Sequence, residues 1–404
     1  WLKPLRLFIE VNVASYPISS SPRASSARMG FLPKSVSIAA FIGLTCAQKL
    51  IPFESFVELH GRSYDSSDFQ ERKALYDQRR DQAEMHNSNP ARLWTAGVNK
   101  LWDWTESELQ TLRGWDGSSR PAGGGVGAVR KHAAFLQQEN DLPKEKIWAD
   151  LAMSHRIKNQ GDCGSCWAIA SASVLEGHYE IYKGTPRTFS AQQIVACTPN
   201  PRHCGGDGGC KGATAELAME FVLKHGCPEE SSVPYNAADG GAVCTSGSPT
   251  LMMAQVLSDD MAAPAALNSL GMAGWETLPK NQYEPLARAL AERGPVAVSV
   301  AADSWFNYES GIFNNCGKDA IIDHAVVAMG YGEENGHKYW VIQNSWGSDW
   351  GEHGHIRLER HDSDDYCGMN NDPQKGVACE GETEPVPVCG MCGVLFDSVV
   401  PHFG

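Results

Sequence analysis

The chain has 404 residues, 42% of them hydrophobic and 20% charged, enough apolar material for one large domain or two modest ones with a real core. A formal net charge of −14 leaves no basic face to neutralise phosphates and argues against a nucleic-acid binder. The charge limits partners without naming a function.

In chain order, the first methionine is Met29. From it the text reads MGFLPKSVSIAAFIGLTCAQ, with Lys34 ahead of an apolar run from Val36 to Leu44 and the small residues Thr45-Cys46-Ala47 behind it. That is the layout of a signal peptide, and the run is too short to span a bilayer. Residues 1–28 are therefore expected to be translated upstream sequence and 29–47 a signal peptide. The expected destination is the secretory pathway, ending in a lysosome or vacuole or outside the cell. No other segment is apolar enough to anchor the chain, so no membrane partner is expected. Residues 48–116 are helix-rich and dense in charge and aromatics. Residues 117–141 include GSSRPAGGGVG at 117–127, a linker's composition, flexible and cleavable.

From 142 to 404 the chain reads first as helices, then as short strands at 295–301, 324–331, 338–343 and 354–358. A helical half followed by a strand-rich half predicts an α+β domain of two lobes with a cleft between them. Most of the thirteen cysteines fall here and fit disulfides made in an oxidising compartment. The irregular spacing of Cys197, Cys204, Cys210, Cys227 and Cys244 matches no zinc-ribbon pattern. No metal or cofactor is expected.

The chemistry sits in Gln160-Gly161-Asp162-Cys163-Gly164-Ser165-Cys166-Trp167. Behind it Trp167, Ile169, Ala170, Val174, Leu175, Tyr179 and Tyr182 lie roughly on one helical face, with Gly184 as a stop. Cys166 is then at a helix N-terminus, where the dipole and free N–H groups favour a thiolate. Taken alone, a cysteine in such a chain is more often half of a disulfide. Its company decides otherwise. Cys163-Gly164-Ser165-Cys166-Trp167 is followed, in order, by Ile322-Asp323-His324-Ala325-Val326 and Asn344-Ser345-Trp346-Gly347. On these motifs the chain from Leu142 onward resembles a papain-like cysteine protease.

The resemblance implies a papain-like fold, with a helical left lobe and an antiparallel β-barrel right lobe. It makes Cys166 the nucleophile, His324 its proton-exchange partner and Asn344 the orienter of the imidazole. Gln160 becomes the side-chain donor to the oxyanion, beside the Cys166 backbone N–H; losing such a donor costs ~10²–10³ in rate. Trp346 is expected to cover the His–Asn contact. Substrate binding is expected at Gly212, at Ala213 (which replaces a glycine and crowds the backbone's approach), at Asp323, at Trp346 and at Asp397. The last would sit on the floor of the subsite for the second residue before the scissile bond, where a carboxylate accepts Arg. The resemblance implies the disulfides Cys163–Cys210 and Cys197–Cys244, leaves the additional Cys204 and Cys227 to pair with each other, and offers Cys316 two C-terminal partners, Cys367 and Cys392, of which Cys392 is favoured. Cys367, Cys379 and Cys389 stay unassigned, as do two insertions at about 236–275 and 361–391.

Upstream, Gly97-Val98-Asn99-Lys100-Leu101-Trp102-Asp103 resembles the second motif of a cathepsin L-like inhibitory propeptide. Asp68, Arg72, Leu75, Tyr76 and Asn87 fall at the spacings of its long helix, from which Arg79 and Ala83 depart. The segment around Asn99 and Asp103 is expected to cover the cleft and to let go at acid pH, when carboxylates such as Asp103 lose their salt links. Cleavage is expected near 140–142. The expectation is thus a monomeric cysteine endopeptidase made as a zymogen, acting on proteins and peptides, with its own propeptide as inhibitor. Two other classes were weighed. A non-catalytic relative would not keep Gln160, Cys166, His324 and Asn344 together, and a thiol–disulfide oxidoreductase built on Cys163 and Cys166 would give His324 and Asn344 no role.

Overall fold

The computed structural model describes residues 50–114, 141–239, 244 and 270–404. The expected signal peptide at 29–47 and all but the last residue of the expected linker at 117–141 lie outside the described residues.

The segment ahead of the linker folds as α1 (Phe53–Leu59), α2 (Ser66–Asn87), β1 (Trp94–Ala96) and α3 (Glu106–Leu112). Local chemistry sets the starts. Asp65 accepts from the N–H groups of Ser67 and Asp68 at the head of α2, and Thr105 with Glu108 forms a reciprocal capping box at α3. Phe53, Phe56, Tyr76 and Trp102 are fully buried between these helices. Arg79, where the sequence departs from the family's helix motif, is buried too, and its guanidinium donates to the carbonyls of Leu101, Trp102 and Trp104 at 2.7–3.3 Å. It satisfies a turn that apolar packing has cut off from water.

The main domain follows with β2 (Lys146–Ile147), α4 (Cys166–Lys183), α5 (Ala191–Cys197), α6 (Ala215–His225), β3 (Met272–Thr277) and α7 (Tyr283–Glu292). Then come β4 (Val296–Val300), β5 (Tyr308–Phe313), β6 (His324–Glu334), β7 (His337–Gln343), β8 (His355–Glu359), β9 (Cys367–Asn370), β10 (Val386–Cys389) and β11 (Asp397–Phe403). Gly184 ends α4 in the left-handed conformation with φ 72°, the usual glycine stop.

One sheet runs β1-β5-β8-β7-β6-β4-β11-β3, with β2 added on β6. All its pairs are antiparallel except β5 with β8. The right lobe is therefore not the closed barrel that was expected. The path is open because its ends are occupied differently: β1 lies along β5, while α6 packs beside β3, with Trp275 Nε1 bonding Glu220 at 2.9 Å. β6 separates two cores. Ala325, Val327 and Met329 face the helical lobe, whereas Val326, Ala328 and Tyr331 face the other side. A strand buried on both faces reads as the near-continuous apolar run seen at 324–331.

Candidate active site

Cys166 is the first residue of α4, and Ser165 before it makes no side-chain cap, so the helix start points unfilled N–H groups toward the thiol. His324 opens β6, and Asn344 follows directly on β7. His324 Nε2 donates to Asn344 Oδ1 at 2.8 Å. The Ser345 N–H donates to the same oxygen at 2.8 Å, which fixes the amide's orientation because an N–H can only donate. The ring proton is thereby held on Nε2. Nδ1 has no hydrogen-bond partner among the described residues and is left as an acceptor. Trp346 lies over this contact, its ring 5.2 Å from the imidazole, and Trp305 meets the imidazole edge-on at 6.3 Å.

Gln160 is fully buried. Ser345 Oγ donates to its Oε1 at 2.7 Å, and its Nε2 donates to the carbonyls of Cys163 and Leu112, each at 3.0 Å. Leu112 belongs to the segment ahead of the linker, and the next two residues complete the cover. The Arg113 guanidinium lies 3.3 Å from Asp323 and 2.5 Å from Glu106. At Gly114, φ 78°, a Cβ would stand 3.0 Å from the Cys166 sulfur. One added to Gly212 would come within 1.6 Å of the Gly114 carbonyl oxygen. Only glycine at both positions lets two backbones approach so closely. A cavity of about 10 Å³ remains between Cys166, His324, Ala213 and Gly114.

This cover corrects the expectation that residues around Asn99 and Asp103 lie over the thiol. Those residues anchor the segment instead. Asn99 Nδ2 donates to the Phe306 carbonyl at 2.6 Å, and Gly97 packs where a Cβ would meet the Glu309 side chain at 2.6 Å. Asp103, wholly buried, is held by Arg62 at 2.9 Å and by the Tyr64 hydroxyl. Sequence reading missed Arg113 and Gly114 because neither belongs to a motif.

The cover sets the electrostatics. Backbone N–H groups of Ala325 and Trp167 favour the thiolate, yet burial outweighs them and pushes the Cys166 thiol up to about 12. Burial also pushes the His324 imidazole down to about 4, with Asn344 opposing and Arg113 adding to the effect. Thiol and imidazole are both neutral in this form. Burial likewise raises the Asp323 carboxyl to about 7, against the pull of Arg113.

The remaining expected residues divide. Ala213 borders the small cavity beside Cys166. Asp397 is buried, accepts from Ser299 Oγ at 2.7 Å and lines a second cavity of about 610 Å³ with Thr214 and Glu216. The structure joins Cys163 to Cys210, Cys197 to Cys244 and Cys316 to Cys392. It does not join Cys204 to Cys227. Cys204 is bonded to Cys379 of the second insertion, Cys367 to Cys389, and Cys227 is a free thiol beside the Ser190 carbonyl. The insertion brings its own cysteine to Cys204, a contact invisible to spacing. No cluster of metal-ligating side chains occurs among the described residues.

A two-lobed α+β domain, with a cysteine at a helix start beside a histidine–asparagine pair and a helical segment laid over both, is the arrangement of the papain class. Residues 142–377 match the papain family cysteine protease domain, and residues 53–109 match the cathepsin propeptide inhibitor domain. The chain belongs to the papain family. It is 34% identical to the oryzain beta chain of Oryza sativa subsp. japonica over 66% of this chain, and spans only 51% of that protein. It is 34% identical to the cysteine endopeptidase RepA of the same species, covering 71% of each. Among solved structures it resembles the digestive procathepsin L2 proteinase from Tenebrio molitor larval midgut, at 27% identity and a TM-score of 0.64, covering 87% of this chain and 98% of that one. Among the described residues no helix is long and apolar enough to cross a membrane.

Proposed function

We propose that this chain is the zymogen of a cysteine endopeptidase whose hydrolytic machinery is Cys166, His324, Asn344 and Gln160. One observation carries the reading: a peptide backbone of the chain itself lies in the site, its Leu112 carbonyl on Gln160 Nε2 at 3.0 Å and its Gly114 against the thiol. A site that binds peptide backbone in this way has the donors for a scissile carbonyl.

Once the cover leaves, water and the N–H groups at the start of α4 lower the thiol's pKa, and the proton passes from Sγ to His324 Nδ1. The thiolate attacks the carbonyl carbon, and the oxyanion takes hydrogen bonds from Gln160 Nε2 and the Cys166 N–H. The C–N bond breaks as His324 gives its proton to the leaving amine, and a thioester remains. His324 then takes a proton from water, whose oxygen attacks the thioester, releasing acid and thiol. Asn344 keeps the ring turned through both steps. Gly212 and Ala213 hold substrate backbone on the acyl side, Asp323 flanks the histidine, and Asp397 floors the neighbouring subsite.

The reading assigns 1–28 to upstream sequence, 29–47 to a signal peptide, 48–116 to the propeptide, 117–141 to the processing region and 142–404 to the peptidase. The propeptide is removed at acid pH after delivery through the secretory pathway, and the active form is a monomer. Five disulfides among the described residues support an oxidising route.

The test is to incubate acid-treated protein with a fluorogenic dipeptide amide, with and without an epoxide that alkylates active cysteines, beside Cys166→Ala. Turnover lost in both cases is expected; turnover that persists in Cys166→Ala would overturn the assignment.

A further inference from the structure

The insertion that had no role in the sequence crosses the cleft. After β9 the chain meets the right-lobe wall, where the Val377 N–H donates to the Ile322 carbonyl at 2.8 Å. Gly376 lies so close that a Cβ would stand 1.9 Å from the same oxygen. It then meets the left-lobe wall. The Gly205 N–H donates to the Ala378 carbonyl at 3.1 Å, and the Glu380 N–H donates to the Arg202 carbonyl at 3.0 Å. Cys379 is bonded to Cys204, and Glu382 pairs with Arg202 at 3.2 Å. Within residues 376–382 the backbone is thus tied to both walls. Gly376 and Val377 also border the cavity beside Cys166 and His324.

Under this strap lies the cavity of about 610 Å³, within the ~300–1,000 Å³ of a small-molecule pocket. Thr214 and Val377 border both cavities, so the two adjoin. Its charged lining is Glu216, Glu382, Glu384 and Asp397 against Arg202 and Lys280. Glu216 Oε2 is buried with no hydrogen-bond partner among the described residues. Burial and the neighbouring Asp397 raise the Glu216 carboxyl to about 7, a strain that an entering ammonium would relieve.

We propose that residues 376–382 roof the acyl side of the cleft, so that, beside its endopeptidase action, the enzyme turns over fastest those peptides with a short arm before the scissile bond and seats their amino end in the acidic cavity. This rests on the proteolytic reading above, with Gly212 and Asp397 on the acyl side. A long arm must displace or thread a segment held by a disulfide, an ion pair and three backbone hydrogen bonds. A short arm avoids that cost and brings an N–H donor to the Glu216 oxygen that has no partner among the described residues.

The test uses the activated protein and fluorogenic amides of one dipeptide: with a free amine, acetylated, and extended by several residues at the amino end. Expected is a kcat/KM about tenfold or more lower for the extended series than for the free dipeptide, with acetylation also lowering it. Cys204→Ser combined with Cys379→Ser, which frees the strap, should raise turnover of the extended series while the dipeptide amide stays within about twofold. Equal rates on short and extended peptides with the unmodified protein overturn the proposal, whatever the folding of the double variant. Equal rates on free and acetylated dipeptide overturn the assignment of the cavity to the amino end. No turnover of any peptide overturns the proteolytic reading itself, and the strap with it.

Discussion

Cys166 and His324 are both held neutral by the same burial, and uncovering them moves a proton between them without taking one from solvent. The couple itself therefore makes release of the cover no more favourable in acid. Two carboxylates do respond, in opposite directions. Asp323 is raised to about 7 under the cover and returns toward 3.8 when exposed, so the covered form holds its proton more tightly. Its share of the cover weakens as pH rises toward 7, which opposes acid release. Glu108 is held below its ordinary 4.5, chiefly by the hydrogen bonds from Arg72 at 2.8 and 3.0 Å. Both partners belong to the propeptide, so the stabilisation, present above 4.5 and lost as pH falls below it, is of the propeptide's own fold, on which the cover depends. Glu108 is 39% exposed, so solvent reduces the effect to about 1 kcal/mol, roughly fivefold in an equilibrium. Glu108→Gln should speed self-processing at neutral pH and narrow the difference between pH 4 and pH 7, read as a time course on gels at both values. At the site, Gln160→Ala should lower kcat by ~10²–10³ with KM little changed, read from initial rates on a dipeptide amide. Gln160 is legible in sequence because it belongs to a motif. The role of its partner Ser345 is not, although Ser345 stands in a motif too, since nothing in a hydroxyl's position along the chain says which amide it will turn.

Elements whose burial leaves a clean period were legible: α4, and the strands β4, β6, β7 and β8 within a residue or a few. Those whose pattern mixes faces were not. β5 reads Tyr-Glu-Ser-Gly-Ile-Phe with burial only at its ends, because one edge meets β8 and the other meets the propeptide. The β9–β10 pair sits inside an insertion and owes its place to Cys367–Cys389. The propeptide's grip on β5 is testable. Gly311 has φ 97°, and a Cβ there would lie 2.4 Å from the Leu93 carbonyl oxygen. Gly311→Ala should weaken docking, seen as faster self-processing at pH 7, with unchanged turnover of a dipeptide amide once processed. Arg79→Ala should also release the propeptide, because three carbonyls lose their donor in an apolar turn, at ~1–3 kcal/mol for each left unsatisfied. Trypsin digestion of the full chain at neutral pH would read this as earlier loss of the propeptide.

Across the whole molecule, one of the two large cores is shared between the parts that activation separates. Phe53, Tyr76, Trp94, Trp102 and Leu112 of the propeptide belong to the same cluster as Trp305, Tyr308, Phe313 and Trp350 of the peptidase. A bound inhibitor that binds only the folded form stabilises it by mass action. The full chain carrying Cys166→Ala should therefore melt at least ~5 °C above the processed enzyme, by calorimetry at pH 7. Equal melting temperatures would mean that the shared cluster contributes nothing net. This layout was only half legible: two motifs announced a propeptide, but which peptidase surface it completes depends on contacts far apart in sequence.

β1 lies on β5 as the outermost strand of the sheet, so the proposed removal of the propeptide would do more than open a cleft. It would strip a strand from a sheet and leave the Tyr308–Phe313 backbone, now paired with β1 and β8, with one side unpaired. Such a margin can recruit an extended segment from another protein. Glu309, exposed on that strand, places a charge where another strand would dock. Under the proposed processing, the strand would carry an open edge with one carboxylate standing on it.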